Sequence, residues 1–173
     1  MIKLDFKPVL AGLMVAAMAS APVLAQDSFA VSFADPAWDG ETIPEGQQCS
    51  LQGGMGASPA LEVTGLPEGT TQVNVAFNDE TYQPMNDGGH GTLGFAVEEG
   101  ATSATLPSVP GETEDLPEGV TIAAENRTSG DFLRPGYMPP CSGGNGNTYS
   151  ADVSAIGEDG TELATTHITL GKY

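Results

Sequence analysis

The chain carries two histidines, His90 and His167, and two cysteines, Cys49 and Cys141, so any acid–base, thiol or metal chemistry has few anchors. His90 sits in Gly88-Gly89-His90-Gly91, a short way after Asp79, which closes an alternating run. A histidine near an aspartate can be held charged, and could then counter a bound phosphate or carboxylate. Residues 137–149, YMPPCSGGNGNTY, form the other conspicuous stretch, with prolines, a cysteine, glycines and two asparagines before Tyr149. Glycines let a ligand approach the backbone and aim N–H groups at an anion, while prolines keep such a loop rigid when empty. Each of these features taken singly also reads as an ordinary turn, a strand-end cap or a solvated loop histidine. Ser58-Pro59, after Gly53-Gly54-Met55-Gly56, adds a further polar loop.

Several arrangements are missing. The chain has no G-x-S-x-G elbow, no G-x-x-x-x-G-K phosphate loop and no C-x-x-C. Two histidines do not make a His-rich metal site. Asn78-Asp79-Glu80 and Asn86-Asp87 offer oxygen ligands of the kind calcium accepts, without the EF-hand spacing, and no metal or other cofactor is assigned. Asp79 and His90 as a hydrolytic pair would lack a nucleophile and an oxyanion site, so the expectation is a protein that is not an enzyme.

Residues 1–25 read as a signal peptide. Lys3 and Lys7 precede the apolar run Pro8–Met18, which is too short to span a bilayer, and small residues lead to a cleavage point after Ala25. Residues 26–173 are then a single domain of 148 residues, secreted or periplasmic, with no integral membrane association. Of the five basic and 23 acidic residues, Lys3, Lys7 and Asp5 fall in the leader, so the rest carries 3 − 22 = −19. Such a surface has almost nothing with which to neutralise phosphates, which argues against nucleic acid. The excess of Asp and Glu reads first as solubility, including in saline surroundings. In an exported protein the even pair Cys49 and Cys141 is most simply a disulfide, whereas a zinc site would need more ligands.

The elements that must position these residues are strands. Short alternating or β-branched runs recur between turn residues at Phe29–Phe33, Gln72–Phe77, Thr92–Val97, Val120–Ala124, Tyr149–Ile156 and Thr166–Leu170. Gly157-Glu158-Asp159-Gly160 reads as a hairpin turn, and the two Leu-Pro-Glu-Gly segments at 66–69 and 116–119 as turns of like chemistry. The pattern predicts an all-β domain, a sandwich or barrel.

The order of the motifs resembles the phosphatidylethanolamine-binding protein (PEBP) family, in its bacterial Raf-kinase-inhibitor-like branch. Ile43-Pro44, Cys49 and Ser58-Pro59-Ala60-Leu61 are similar to that family's "IP…C…SPPL" opening. Gly65–Thr70 is similar to its "PEGTKS" turn, Val75–Asp79 to the approach to "DPDAP", and His90 to the histidine of "HW". Tyr137–Tyr149 resembles "YxGPCPPxGxHRY" with the same number of residues, and Leu170–Tyr173 resembles the closing "LVGTY". The resemblance implies a PEBP-like β-sandwich of two antiparallel sheets with few short helices. It further implies a small pocket for phosphate-like or phospholipid headgroups, lined by Asp79, His90, Pro140, Asn147 and Tyr149. Asn147 stands where the family has a second histidine, Thr81 where it has a second aspartate, and Gly91 in place of the tryptophan. An asparagine donates a hydrogen bond but does not neutralise charge, so a neutral or zwitterionic ligand stands beside a phosphate. The expected function is non-catalytic binding of a small polar or anionic ligand. The alternative is an inhibitor or interaction protein that acts on another exported protein through its surface.

Overall fold

In the computed structural model, residues 28–173 are described. The predicted leader lies outside them. Eight strands follow one another along the chain: β1 Ala30–Phe33, β2 Leu61–Thr64, β3 Thr70–Asp79, β4 Thr92–Ala96, β5 Ser103–Leu106, β6 Val120–Ala124, β7 Thr148–Gly157 and β8 Glu162–Lys172. Three single-turn 3₁₀ segments at Ser50–Gln52, Gln83–Met85 and Gly130–Phe132 are the helical content of these residues. Every named strand pair is antiparallel. One sheet has the order β1-β2-β5 and the other β6-β4-β3-β7-β8.

The alternation read from sequence becomes the inner faces of two packed sheets. Leu61 and Val63 of β2 and Leu106 of β5 meet Val73, Val75 and Phe77 of β3, Leu93 and Phe95 of β4, and Val153 of β7 in one core. Polar partners on the same strands, such as Glu62, Asn74 and Asp152, stay partly exposed on the outer faces. Phe77 and Tyr137 hold a tilted ring contact at 4.4 Å between centroids, which anchors the start of the 137–149 loop in that core. Burial pushes the Tyr137 hydroxyl well above its usual range, so it stays protonated.

The turns behave as their residues require. Gly157 and Thr161 close the β7–β8 hairpin through Gly157 N–H to Thr161 O at 2.9 Å, with no helix before the last strand. In the two Leu-Pro-Glu-Gly turns, Thr70 donates to the Pro67 carbonyl and Val120 to the Pro117 carbonyl, at 3.2 and 3.1 Å. Gly69 and Gly119 adopt φ of +85° and +77° there. No neighbour crowds Gly69, so Gly69→Ala tests the left-handed backbone alone. It should lower unfolding free energy by about 1 to 2 kcal/mol, read by urea denaturation with an unchanged m-value.

The disulfide expectation holds. Cys49 and Cys141 are bonded, with Cα atoms 5.3 Å apart across a separation of 92 residues.

Candidate functional site

Asp79 ends β3 directly opposite Tyr149 in the β3–β7 register, and this pairing is where the candidate site begins. Beyond Asp79 the chain must leave the sheet, and the carboxylate organises the exit. Its Oδ1 accepts from Thr81 N at 2.9 Å and Tyr82 N at 3.0 Å, the local aspartate turn that bends the backbone out of the strand. Its Oδ2 accepts from Asn147 Nδ2 at 2.7 Å, which ties the β3 exit to the approach to β7. The neighbouring Asn78 Oδ1 accepts from Gly88 N at 2.6 Å, fixing the far end of the same connection.

That connection delivers His90. Its backbone N–H donates to Phe77 O at 3.0 Å, and its carbonyl accepts from Met138 N at 2.8 Å. The imidazole Nδ1 lies 2.7 Å from Met138 O, and since a carbonyl can only accept, Nδ1 carries the proton. Nε2 takes no hydrogen bond from the described residues, yet no buried side-chain nitrogen or oxygen among them is left without a partner. Nε2 therefore opens on the cavity as an acceptor. The ring meets Tyr149 edge-on, 5.3 Å between centroids.

Around these groups lies a cavity of about 450 Å³. Asp79, His90, Asn147 and Tyr149 all line it, so four of the five ligand residues expected from sequence meet in one place. Pro140 does not. It is buried outside the cavity lining, and its carbonyl accepts from Cys49 N at 3.0 Å, so it fastens the disulfide loop. Ser58 is also structural: its hydroxyl accepts from Val109 N at 3.0 Å in the core. Thr81 lends its hydroxyl oxygen to Thr148 N at 2.9 Å. His167 lies elsewhere, on β8 between Glu80 and Asp152, at 3.3 and 2.8 Å from their carboxylates. Among the described residues no cluster of three or more His, Cys, Asp or Glu could hold a metal.

Three contributors were not foreseen from sequence. Tyr82 and Phe132 stand at the cavity, about half exposed, each next to or within one of the 3₁₀ turns. Arg127 clamps the opposite side: its Nη1 donates to the Pro84 and Asn86 carbonyls at 3.3 and 3.1 Å, and its Nη2 to the Asp87 carbonyl. Ser142 and Asn147 are held from behind by Tyr173, whose carbonyl accepts from the Ser142 hydroxyl at 2.6 Å and from Asn147 N at 3.0 Å.

The electrostatics correct one expectation. His90 was read as a charge that could counter an anion. Only 4% exposed, it is instead pushed below the ordinary histidine value of 6.5 by burial, which outweighs the Met138 carbonyl and the Asp79 charge acting in the opposite direction. It is neutral at pH 7. The Tyr149 hydroxyl is pushed up to about 12, mainly by burial, and it accepts from Cys141 N at 3.2 Å. A depressed histidine pKa means the unfolded chain binds a proton that the folded one does not. Its contribution is present in full above pH 6.5 and is lost as pH falls from 6.5 toward the lower folded pKa. Stability should therefore fall on acidification across that window with a slope of up to about 1.4 kcal/mol per pH unit from this group. His90→Asn, followed by urea unfolding from pH 7.5 to 5, should flatten the slope by that amount relative to wild type.

The described residues thus form a sandwich of two antiparallel sheets with a polar cavity where β3 ends opposite the start of β7. No family model matches the chain, and no curated protein matches it. Among solved structures it is similar to Escherichia coli YbcL, described as a new member of the mammalian PEBP family, at 23% identity and a TM-score of 0.54. The match covers 84% of this chain and 97% of YbcL. The chain therefore has the PEBP-like fold that its motifs imply.

Proposed function

We propose that this chain is an exported, non-catalytic binding protein whose cavity takes a small polar ligand. The observation that carries the reading is the convergence of Asp79, His90, Asn147 and Tyr149 on one open cavity of about 450 Å³, a volume suited to a small molecule. Each polar side chain is positioned by the sheet or by a backbone partner, so the site keeps its shape when empty, which favours binding. The hydroxyl chemistry supports a non-catalytic role: Ser142 Oγ donates to the Tyr173 carbonyl and shares no hydrogen bond with His90 Nε2, so the two form no nucleophile–base pair. The leader-like residues 1–25 and the disulfide favour export. No helix among the described residues is long and apolar enough to cross a membrane.

The test is thermal unfolding of residues 26–173 at fixed ionic strength with phosphate, phosphoethanolamine and neutral polyols. Each is measured on wild type and on Ser129→Trp, which sets a bulky ring at an exposed lining position. A concentration-dependent rise in midpoint that Ser129→Trp abolishes supports the reading. A rise that survives Ser129→Trp, or no rise with any compound, contradicts it and redirects the search to a protein partner at the surface.

A further inference from the structure

One wall of the cavity, the part that carries Tyr82, Pro84 and Met85, is the middle of the connection between β3 and β4. Both ends of that connection are pinned to the sheet. Glu80 N donates to Thr148 O at 2.9 Å, and Gly88 N to Asn78 Oδ1 at 2.6 Å. The middle is held otherwise. None of residues 82–87 is buried, and their backbone donors serve acceptors close by: Tyr82 N bonds Asp79, Met85 N bonds Tyr82 O and Asn86 N bonds Gln83 O. Among the described residues, the hydrogen bonds that reach 82–87 from elsewhere in the chain all come from one side chain. Arg127 Nη1 donates to Pro84 O and Asn86 O at 3.3 and 3.1 Å, and Nη2 donates to Asp87 O.

The choice of partner is notable in a chain with 23 acidic residues. Arg127 takes part in none of the ion pairs among the described residues, and its guanidinium is spent on backbone carbonyls. A planar fork of donors suits several carbonyls at once, where a single ammonium would serve fewer. The fork is itself anchored, because Arg127 N donates to Gly89 O at 2.8 Å. Asp87 has φ of +48°, followed by Gly88 at +73°. A left-handed aspartate is uncommon and persists where its surroundings hold it, and here its carbonyl is held by Arg127. A segment with no buried residue, tethered by one side chain and ending on a strained residue beside a glycine, has the build of a part that opens locally. We propose that residues 82–87 form a lid over the cavity and that Arg127 is the positioning residue that latches it shut. Release of the fork lets Asp87 return to negative φ, and the wall turns about Gly88 to uncover the buried His90. The lid matters for binding only if the cavity is the ligand site, and it assigns no class of ligand.

The experiment compares residues 26–173 as wild type, Arg127→Gln and Arg127→Lys at pH 7, with two readouts that need no ligand. The first is solvent exchange of the Met85 and Asn86 amides, with Phe77 and Ser58, which donate to Gly91 O and Val109 O, as references outside the lid. Exchange in the lid should be at least tenfold faster in Arg127→Gln, less so in Arg127→Lys, and unchanged at the references. The second is carbethoxylation of His90 by diethylpyrocarbonate, mapped by mass spectrometry with the exposed His167 as internal standard. Nε2 of His90 carries no proton in this tautomer, so its reaction reports access. It should be several-fold faster in Arg127→Gln relative to His167. Unchanged exchange at Met85 and Asn86 overturns the latch. Faster exchange with an unchanged His90 rate overturns the lid. Acceleration at Phe77 and Ser58 as well shows that Arg127 supports the whole fold, which overturns the proposal too. Should Arg127→Gln not fold, Arg127→Lys decides by the same readings. A negative thermal screen with these results intact would sink the cavity as a binding site and leave the latch standing.

Discussion

Removing the disulfide, as Cys49→Ala with Cys141→Ala, should lower the unfolding free energy by about 4 to 5 kcal/mol. The bond closes a loop spanning 92 residues, and in the chain-entropy model a loop of that length restricts the unfolded ensemble by about this much. The native state is prepared to keep its contacts without the bond. Cys49 N–H donates to the Pro140 carbonyl, its own carbonyl accepts from Gln52 N and Gly54 N, and Cys141 N–H donates to the Tyr149 hydroxyl. The loss should therefore come mainly from the unfolded side, with the same cavity shape retained in the folded variant. Denaturant midpoints of wild type, reduced wild type and the double variant check this. A loss below about 1 kcal/mol would show that the loop is already constrained in the unfolded chain.

Asp79→Ala should cost a further large amount, about 3 to 5 kcal/mol. It removes the acceptor of three hydrogen bonds to a charged group, each with a net contribution of about 1.5 to 3 kcal/mol, and the contributions overlap because they share one carboxylate. Two of the donors are the backbone N–H groups of Thr81 and Tyr82 at the strand exit, and Asp79 Oδ1 is the acceptor they share. Asp79→Asn should cost about 1 kcal/mol, because Oδ1 still serves Thr81 and Tyr82 and the Asn147 amide can turn to present its oxygen. Urea unfolding of the two variants separates the structural role of the acceptor from the charge. If Asp79→Ala were as mild as Asp79→Asn, the carboxylate would not be what holds the β3 exit.

The parts of the fold that were legible were those where burial alternates. Val120–Ala124 was read with its bounds, and Gln72–Phe77 and Tyr149–Ile156 lie within the two ten-residue central strands β3 and β7. β2 (LEVT) and β5 (SATL) escaped because each offers only two spaced apolar side chains, whereas the equally short β1 is marked by Phe29, Val31 and Phe33 in alternation. β8 runs from Glu162 to Lys172 where the sequence suggested Thr166–Leu170. Its outer residues are threonines and charged groups that pairing with β7, and not burial, holds extended.

The site divides in the same way. Asp79 could be located because it closes an alternating run, and Tyr149 through the motif resemblance; the register that sets them opposite each other comes only with the structure. Pro140 lies outside the cavity lining, and a proline in such a loop looks the same in sequence whether its ring faces the cavity or its carbonyl serves the chain behind it. Arg127, Tyr82 and Phe132 had no local signature. Arg127 reaches the cavity only because it docks on carbonyls some 40 residues earlier in the chain, with separations of 43, 41 and 40. The charge state of His90 also depended on burial, which a glycine-flanked histidine in sequence does not reveal.

The Asp79–His90 cavity is the proposed ligand site, with a neutral histidine at its floor. The most direct measurement is the side-chain nitrogen NMR spectrum of His90 at pH 7.5, followed as each compound that stabilises the protein thermally is added. The expected result is a neutral ring protonated on Nδ1, with an Nε2 resonance that moves saturably on binding. An imidazolium at that pH, or an Nε2 resonance that stays fixed while amides elsewhere on the surface shift, would contradict it.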